Sequence, residues 1–437
     1  MEQDSAFHPL PRIWSCMPRA LSCLIACLAA LLPSAIPRPA SAASTPAVLE
    51  RVVLVARHGV RSPTQPLARI NAATRRIWPA WPVAPGELTL QGQHDLALMG
   101  AALGAHYRQA GLLPPGQACR PGALAIWSDA AAHRTMQTGG IMGQAMLPGC
   151  AVTNASLPAG TADPVFNSLP RTPDPTLRAA IMTSLTAELA DDQSHYPAEV
   201  NRAQALMQDM VYPAGCVAGA PCFTGPDRAT WKKNAPHLEG GLSLTAEMAE
   251  NMLLEYAQGM PLDSIGWGHA DMRRTLDAIM LAHTHASRLL RRLPAFALAR
   301  GHVLAGLMTD LAAGRPVTLP DHSVIAPTTP VILFAGHDTT LDMLAAIFGL
   351  DWSFADLPDP TGPDTTLGFE TWRQTDGTRM VRAVIFHQGL DALRSGQPGV
   401  AQPDVLPLPA CQSGPQGQCK LDDFVRVFTA RLNAAPA

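Results

Sequence analysis

The chain has no excess of positive charge: 32 Lys and Arg stand against 35 Asp and Glu, a formal net charge of −3 with a pI near 6.5. Binding to nucleic acid or to an anionic membrane draws on clustered Lys and Arg, so neither partner is expected, and any anion must be held locally. There is no internal repeat, and no Gly-x-Ser-x-Gly elbow to suggest a serine hydrolase. The N-terminal apolar run from Ala20 to Leu32 has about 13 residues, short of the roughly 20 that a spanning helix needs. What is present is a chain of 437 residues, 47% hydrophobic and 15% charged, enough to bury a sizeable core.

Arg12 and Arg19 precede the apolar run, and Ala40-Ser41-Ala42 comes after it. This order predicts a secretory signal over residues 1–42, cleaved after Ala42, and a periplasmic or secreted mature chain free of the membrane. Leu24-Ile25-Ala26-Cys27 resembles a lipoprotein signal, but the run continues past Cys27 to a better cleavage site. Losing Cys16, Cys23 and Cys27 with the signal leaves Cys119, Cys150, Cys216, Cys222, Cys411 and Cys419. An even number suits an oxidising compartment. Although 15 connectivities are open, Cys216/Cys222 and Cys411/Cys419 flank turns fit for local closure, and three bridges are expected, including Cys119–Cys150.

LERVVLVA, Leu49 to Ala56, is the nearly continuous β-branched run of a buried parallel strand. Gly86 to Gln109 carries apolar residues at helical spacing after Leu88-Thr89, followed by a strand over Ala123–Ser128 and a helix over Arg134–Met146. Between about Asp163 and Leu293, Pro-rich loops separate segments of helical period at Pro175–Leu189, Ala198–Met210, Thr245–Gly259 and Asp271–Leu293, with no strand expected. A strand at Pro330–Ala335 and a hairpin of Thr366–Trp372 with Met380–Phe386 across Asp376-Gly377 resume the α/β pattern. The expected organisation is an α/β domain over 43–165 and 290–437, with a mostly helical cap inserted at 166–289. Ser395 to Gly417 reads as a surface loop.

Arg57-His58-Gly59-Val60-Arg61-Ser62-Pro63 lies at the end of the first strand, where α/β sheets collect ligands. Arginine offers a fork of donors matched to phosphate oxygens, Gly59 allows a tight strand-to-helix turn, and a helix after it would add its N-terminal N–H groups. A neutral His58 is then a nucleophile toward phosphorus. Five fixed positions arise by chance in such a chain on the order of once in ten thousand. Gly336-His337-Asp338-Thr339-Thr340 comes directly after another strand. There, His337 suits a phosphate oxygen, and Asp338, if protonated, suits donation to the leaving group. His94-Asp95 falls within a helical pattern and reads as structural.

These motifs resemble those of the histidine acid phosphatases, in particular the bacterial periplasmic acid phosphatase/phytase and glucose-1-phosphatase branch. Arg57 to Thr64 is similar to the family's phosphate loop, Trp78-Pro79-Ala80-Trp81-Pro82 and Leu88-Thr89-x-x-Gly92 to the segment after that loop, and Gly336-His337-Asp338-Thr339 to its proton-donor motif. Arg134-Thr135 with Thr138-Gly139 resembles its third arginine site, and the cysteine pattern agrees. The resemblance implies a phosphoglycerate-mutase-like α/β fold, a mixed sheet sandwiched by helices, with the site beneath an inserted cap. It implies His58 as nucleophile, Asp338 as acid and Arg57, Arg61, Arg134 and His337 as the phosphate clamp, with no metal or other cofactor. The partner would be a small-molecule phosphate ester, and the protein a monomer.

Two departures bear on the substrate. Gln65 stands where the phytase branch commonly has lysine, and Thr340 where asparagine is usual. Arg300 resembles a substrate-side arginine of the phytases, and Thr64 and Gln65 are further candidates for substrate contact. A glucose-1-phosphatase-type sugar phosphatase is the alternative. From other classes, a phosphomutase and a non-catalytic phosphate-ester binder stay in view. Cys222-x5-Arg228 fits the spacing of a cysteine phosphatase but has Cys216 as a disulfide partner. His283 and His285, two apart on a helix, point about 200° from each other and make poor zinc ligands.

Overall fold

The computed structural model describes residues 47–434, apart from 115, 117, 118, 194, 195, 217, 401, 412, 413, 415 and 416. The expected signal at 1–42 lies outside the described residues. Among those described, no helix is long and apolar enough to cross a membrane.

The first third runs β1 (Val48–Arg57), α1 (Leu67–Thr74), α2 (Leu90–Gln109), β2 (Leu124–Ser128), α3 (His133–Met146) and β3 (Asn154–Ala155). Next are α4 (Pro175–Gln193), α5 (Ala198–Val211), β4 (Arg228–Lys232), β5 (Ala235–Glu239), α6 (Gly241–Ala257) and α7 (Met272–Arg291). Then come α8 (Pro294–Ala312), β6 (Val317–Thr318), β7 (Val324–Ile325), β8 (Val331–Gly336) and α9 (Asp338–Phe348). The chain closes with β9 (Thr366–Arg373), β10 (Arg379–Phe386), α10 (Leu390–Ser395), β11 (Asp404–Leu406), β12 (Cys419–Lys420) and α11 (Leu421–Asn433).

One mixed sheet organises these elements in the order β11-β10-β9-β1-β8-β2-β3, with β12 also paired to β10. β1, β8, β2 and β3 are parallel; β9 to β12 form the antiparallel half. Because successive residues of a strand face opposite sides, β1 supplies two cores. Val52, Leu54 and Ala56 pack with Leu96, Met99 and Leu103 of α2 and Met142 of α3. Val53 and Val55 pack with residues of α8, α9 and α11, among them Leu304, Met308, Leu344 and Phe424. Helices thus cover both faces, the sandwich expected of the α/β fold class.

Two elements differ from expectation. The stretch between Asp163 and Leu293 holds a hairpin, β4–β5, which half-exposed side chains and Pro236 disguise; its turn rests on Lys233 and Asn234, both at positive φ. The Ser395–Gly417 stretch also contains β11, which extends the sheet beyond β10. All three expected disulfides are present: Cys119–Cys150, Cys216–Cys222 and Cys411–Cys419.

Candidate active site

Parallel pairing of β1 with β8 brings together motifs about 280 residues apart. Arg57 stands opposite Gly336, and the His58 backbone N–H donates to the Gly336 carbonyl at 3.1 Å. His58 and His337 therefore sit just past neighbouring strand ends, their ring centroids 5.5 Å apart.

His58 is buried, with Nδ1 3.0 Å from the Gly59 carbonyl. A carbonyl only accepts, so in the neutral ring Nδ1 carries the proton and Nε2 keeps its lone pair. Burial first, then the charges of Arg61, Arg134 and Arg57, hold the imidazole pKa well below its usual value, so the ring stays neutral in acid.

The expected strand-to-helix turn at Gly59 is not what forms. α1 begins only at Leu67, and Arg61 instead bridges to Leu88. Glycine is required here for close approach: a Cβ at Gly59 would lie 2.6 Å from the Gly92 carbonyl and 2.9 Å from Leu96 Cγ. The helix starts that reach the site belong to α3, whose first turn carries Arg134, and α9, whose first residue is Asp338. His337 caps α9, with Thr340 Oγ1 accepting its backbone N–H at 3.3 Å.

Arg57 is fully buried. Its Nη1 donates to Asp359 Oδ2 at 2.9 Å and to the Thr361 carbonyl, and its Nη2 donates to Glu250 Oε1 at 2.7 Å. Arg61 Nη2 reaches the same Glu250 oxygen at 3.2 Å, and Arg134 Nη1 the Gly86 carbonyl at 3.3 Å. Arg300, on α8, lies where the charges of Asp338 and Asp129 act on it. The buried Nε–H groups of Arg57, Arg61, Arg134 and Arg300 have no protein partner among the described residues. Arg57, Arg61 and Arg134 all act electrostatically on His58, and Arg300 lies in the field of Asp338, so cations converge on the two strand ends. Glu250 marks where an anionic oxygen sits across Arg57 and Arg61. Burial opposes its charge, but Arg61 and Arg57 outweigh that and hold the carboxyl at about 2.

His337 Nε2 lies 3.0 Å from Asp129 Oδ2, which orients the ring. Asp338 accepts the Thr339 N–H at Oδ1, 2.8 Å, and Arg291 Nη1 at Oδ2, 2.8 Å. Burial works against its charge, yet Arg291, Arg57 and Arg61 together keep it well below the usual carboxylate range. Thr64 is exposed, and Gln65 Nε2 donates to Glu247 Oε1, one helical turn before Glu250 on α6.

The structure thus brings His58, Asp338, Arg57, Arg61, Arg134, His337 and Arg300 together at the ends of β1 and β8. Sequence reasoning missed Arg291, Asp129, Asp359, Glu247 and Glu250; the i, i+3 spacing of the two glutamates on one helix was their only local sign. Other candidates lie elsewhere or are otherwise engaged. Cys222 is bonded to Cys216, which removes the thiolate that a cysteine phosphatase requires. His283 Nδ1 sits 3.1 Å from the Ala246 carbonyl, whereas His285 packs edge-on against Tyr196. His94 Nε2 is 3.0 Å from the Gly396 carbonyl. Among the described residues, no group of three or more His, Cys, Asp or Glu could hold a metal ion.

Comparison with known proteins identifies the family. The family model for the histidine phosphatase superfamily (branch 2) matches residues 48–209. Phytase AppA of Escherichia coli is 30% identical over 95% of this chain and 99% of its own length. A glucose-1-phosphatase of Salmonella typhimurium is 24% identical over 94% and 99%. Among solved structures, the phytase of Citrobacter braakii superposes with a TM-score of 0.79 at 27% identity, covering 88% of this chain and 98% of that one. The phytase of Hafnia alvei in complex with myo-inositol hexakis sulphate superposes at 0.76 with 27% identity, covering 90% and 99%. With a relative at this identity spanning nearly the whole of both sequences, the chain belongs to branch 2 of the histidine phosphatase superfamily and is a phosphomonoester hydrolase.

Proposed function

We propose that the protein is a periplasmic acid phosphatase that works through a phosphohistidine at His58, with phytate among its substrates. The observation that carries this reading is the convergence of three guanidinium groups, those of Arg57, Arg61 and Arg134, on a neutral His58 whose Nδ1 proton is taken by the Gly59 carbonyl. Arg57, Arg61, Arg134 and His337 hold the phosphate oxygens, and His58 Nε2 directs its lone pair at phosphorus. As the N–P bond forms, the P–O ester bond breaks, and Asp338 gives its carboxyl proton to the departing alkoxide. Water then attacks the phosphohistidine, Asp338 takes its proton, and inorganic phosphate leaves His58 free.

Export as a monomer, a cap at 166–289 over an α/β domain of 43–165 and 290–437, and cleavage after Ala42 belong to the same reading. The three disulfides support an extracytoplasmic location. For phytate, Arg300 offers a cation beyond the first phosphate, and relatives named phytase span nearly the whole chain. One feature favours the second reading, a glucose-1-phosphatase-type enzyme: the position after Thr64 is a neutral Gln65 bonded to the acidic Glu247, which suits a sugar hydroxyl better than another phosphate.

Rapid quench with a labelled phosphomonoester at acid pH tests the mechanism. Label is expected on His58 and then in inorganic phosphate, and His58→Ala should remain folded with turnover reduced at least a thousandfold, roughly the scale on which removing a nucleophile acts. Transfer of label to a second sugar position would indicate a mutase. Wild-type-like turnover in His58→Ala would overturn the assignment.

A further inference from the structure

Asp338 poses a problem for its proposed role, because a proton donor must hold a proton, and the cations around this carboxyl keep it ionised. The immediate cause is a residue from outside the α/β motifs. Arg291, the last residue of α7, donates from Nη1 to Asp338 Oδ2 at 2.8 Å and to Asp342 Oδ2 at 3.3 Å, spanning i and i+4 on α9. Asp342 is also held by Arg292 Nε at 2.9 Å, so it has a second anchor. With Thr339 N–H on Oδ1 and Arg291 on Oδ2, both oxygens of Asp338 are held and the side chain has one orientation.

We infer that Arg291 is a positioning residue for the proton donor, which keeps Asp338 an oriented carboxylate before substrate binds and releases it to protonation when a substrate phosphate enters the arginine ring. The inference rests on the reading of Asp338 as the acid. The charges facing Asp338 come from every side. Arg57 and Arg61 come from the end of β1 and its loop, with the neutral His58 between them, and Arg134 and Arg300 lie on α3 and α8. Glu250 on α6 opposes them from the cap side, and Asp342 from its own helix. Asp129 and Asp359 are the remaining anions, paired with His337 and Arg57; a phosphate adds further negative charge to this set, and the carboxyl's affinity for a proton then rises.

The proton balance closes without another reactant. A phosphomonoester has a second pKa near 6, so in acid it arrives as the monoanion. Its phosphate hydroxyl passes that proton to the Asp338 carboxylate, leaving the dianion among the arginines, and Asp338 later delivers the same proton to the leaving alkoxide.

The test compares kcat against pH, at saturation, for Arg291→Gln, Arg291→Lys and wild type, on glycerol phosphate and p-nitrophenyl phosphate. Removing a hydrogen-bonded cation raises a carboxyl by about 1–3 pH units. The alkaline limb for glycerol phosphate should therefore move up by about that much in Arg291→Gln and return toward wild type in Arg291→Lys. It should move little for p-nitrophenyl phosphate, whose leaving group needs little protonation. A limb that stays in place in folded Arg291→Gln overturns the inference. Independently of any substitution, carbon-13 NMR titration of the wild-type Asp338 carboxyl should show its pKa rising when inorganic phosphate is added; no rise also overturns it. Asp338→Asn separates the two claims. If it slows both esters equally, Asp338 is not the acid; if it spares p-nitrophenyl phosphate while Arg291→Gln moves nothing, only the role of Arg291 is lost.

Discussion

His58 owes its chemistry to neighbours that settle where its proton lies. The Gly59 carbonyl takes the Nδ1 proton, and the arginines beside it discourage a second one. Arg57 is likewise specified by its surroundings, since Asp359 and the Thr361 carbonyl pin one side of its fork and Glu250 occupies the other. At Gln65 the question is substrate choice. Its amide already engages Glu247, whose own carboxyl is pushed up by burial and by Glu250. Gln65→Lys should place a cation at that position, pair it with Glu247, and raise catalytic efficiency on phytate several-fold relative to glucose-1-phosphate. One well-placed charge contact is worth about 1 kcal/mol, or roughly fivefold. The gain should shrink in high salt. An unchanged ratio of efficiencies would mean that Gln65 does not face the substrate. From sequence the lysine-to-glutamine departure was legible, but its partner was not, because Glu247 is one of many acidic residues on amphipathic helices.

Among the elements, β1, β8 and the first turn of α2 decide the geometry of the phosphate loop. Apolar β-branched runs made both strands legible, and their ends carried the motifs. That the two are neighbours depends on strand order, which no local pattern encodes. Gly59 shows the same division. Its presence in the motif was evident, whereas its reason is a backbone-to-backbone contact with α2. Gly92 completes that contact, since a Cβ there would run into the Val60 backbone. Gly92→Ala should push the loop off α2, destabilising the protein by about 1–3 kcal/mol, as overpacking typically does, and reducing activity more than its melting temperature alone would suggest. Thermal melts paired with turnover would check this; full activity in the variant would show that the loop tolerates the shift. The β4–β5 hairpin escaped notice for an opposite reason: its strands are half exposed and alternate weakly, and a Lys-Asn turn is a faint signal.

At the scale of the whole molecule, the site stands on a buried acidic pair that the catalytic scheme does not use. Asp364 and Asp95 are both fully buried behind the loop, and Gln388 Nε2 joins them by donating to Asp364 Oδ2 at 2.8 Å and to the Asp95 carbonyl at 3.0 Å. Burial, then Asp364, pushes Asp95 up to about 9, and burial pushes Asp364 to about 8 despite Gln388 and Arg57. In the unfolded chain both would titrate near 4. The raised folded values mean that the stability linked to these protons is fully present below about pH 4 and is lost as pH rises through about 8 to 9. Asparagine mimics the protonated acid, so Asp95→Asn/Asp364→Asn should melt above wild type by a margin that widens from pH 4 to pH 9. A constant margin would show that the pair is not protonated in the fold.

By itself, the sequence determined the fold class, the helices and strands with strong periodicity, and the local pieces of chemistry, because periodicity, motif spacing and an even cysteine set act over short stretches of chain. Tertiary structure alone decided how those pieces meet. The β1–β8 pairing set His58 beside His337, α6 brought Glu250 to the arginines, and α7 carried Arg291 to Asp338. The physical reason is that a charge's effect depends on distance and burial. Asp338 and Asp364 are the same residue type with opposite shifts, since several cations outweigh burial at Asp338, whereas at Asp364 burial outweighs Gln388 and Arg57.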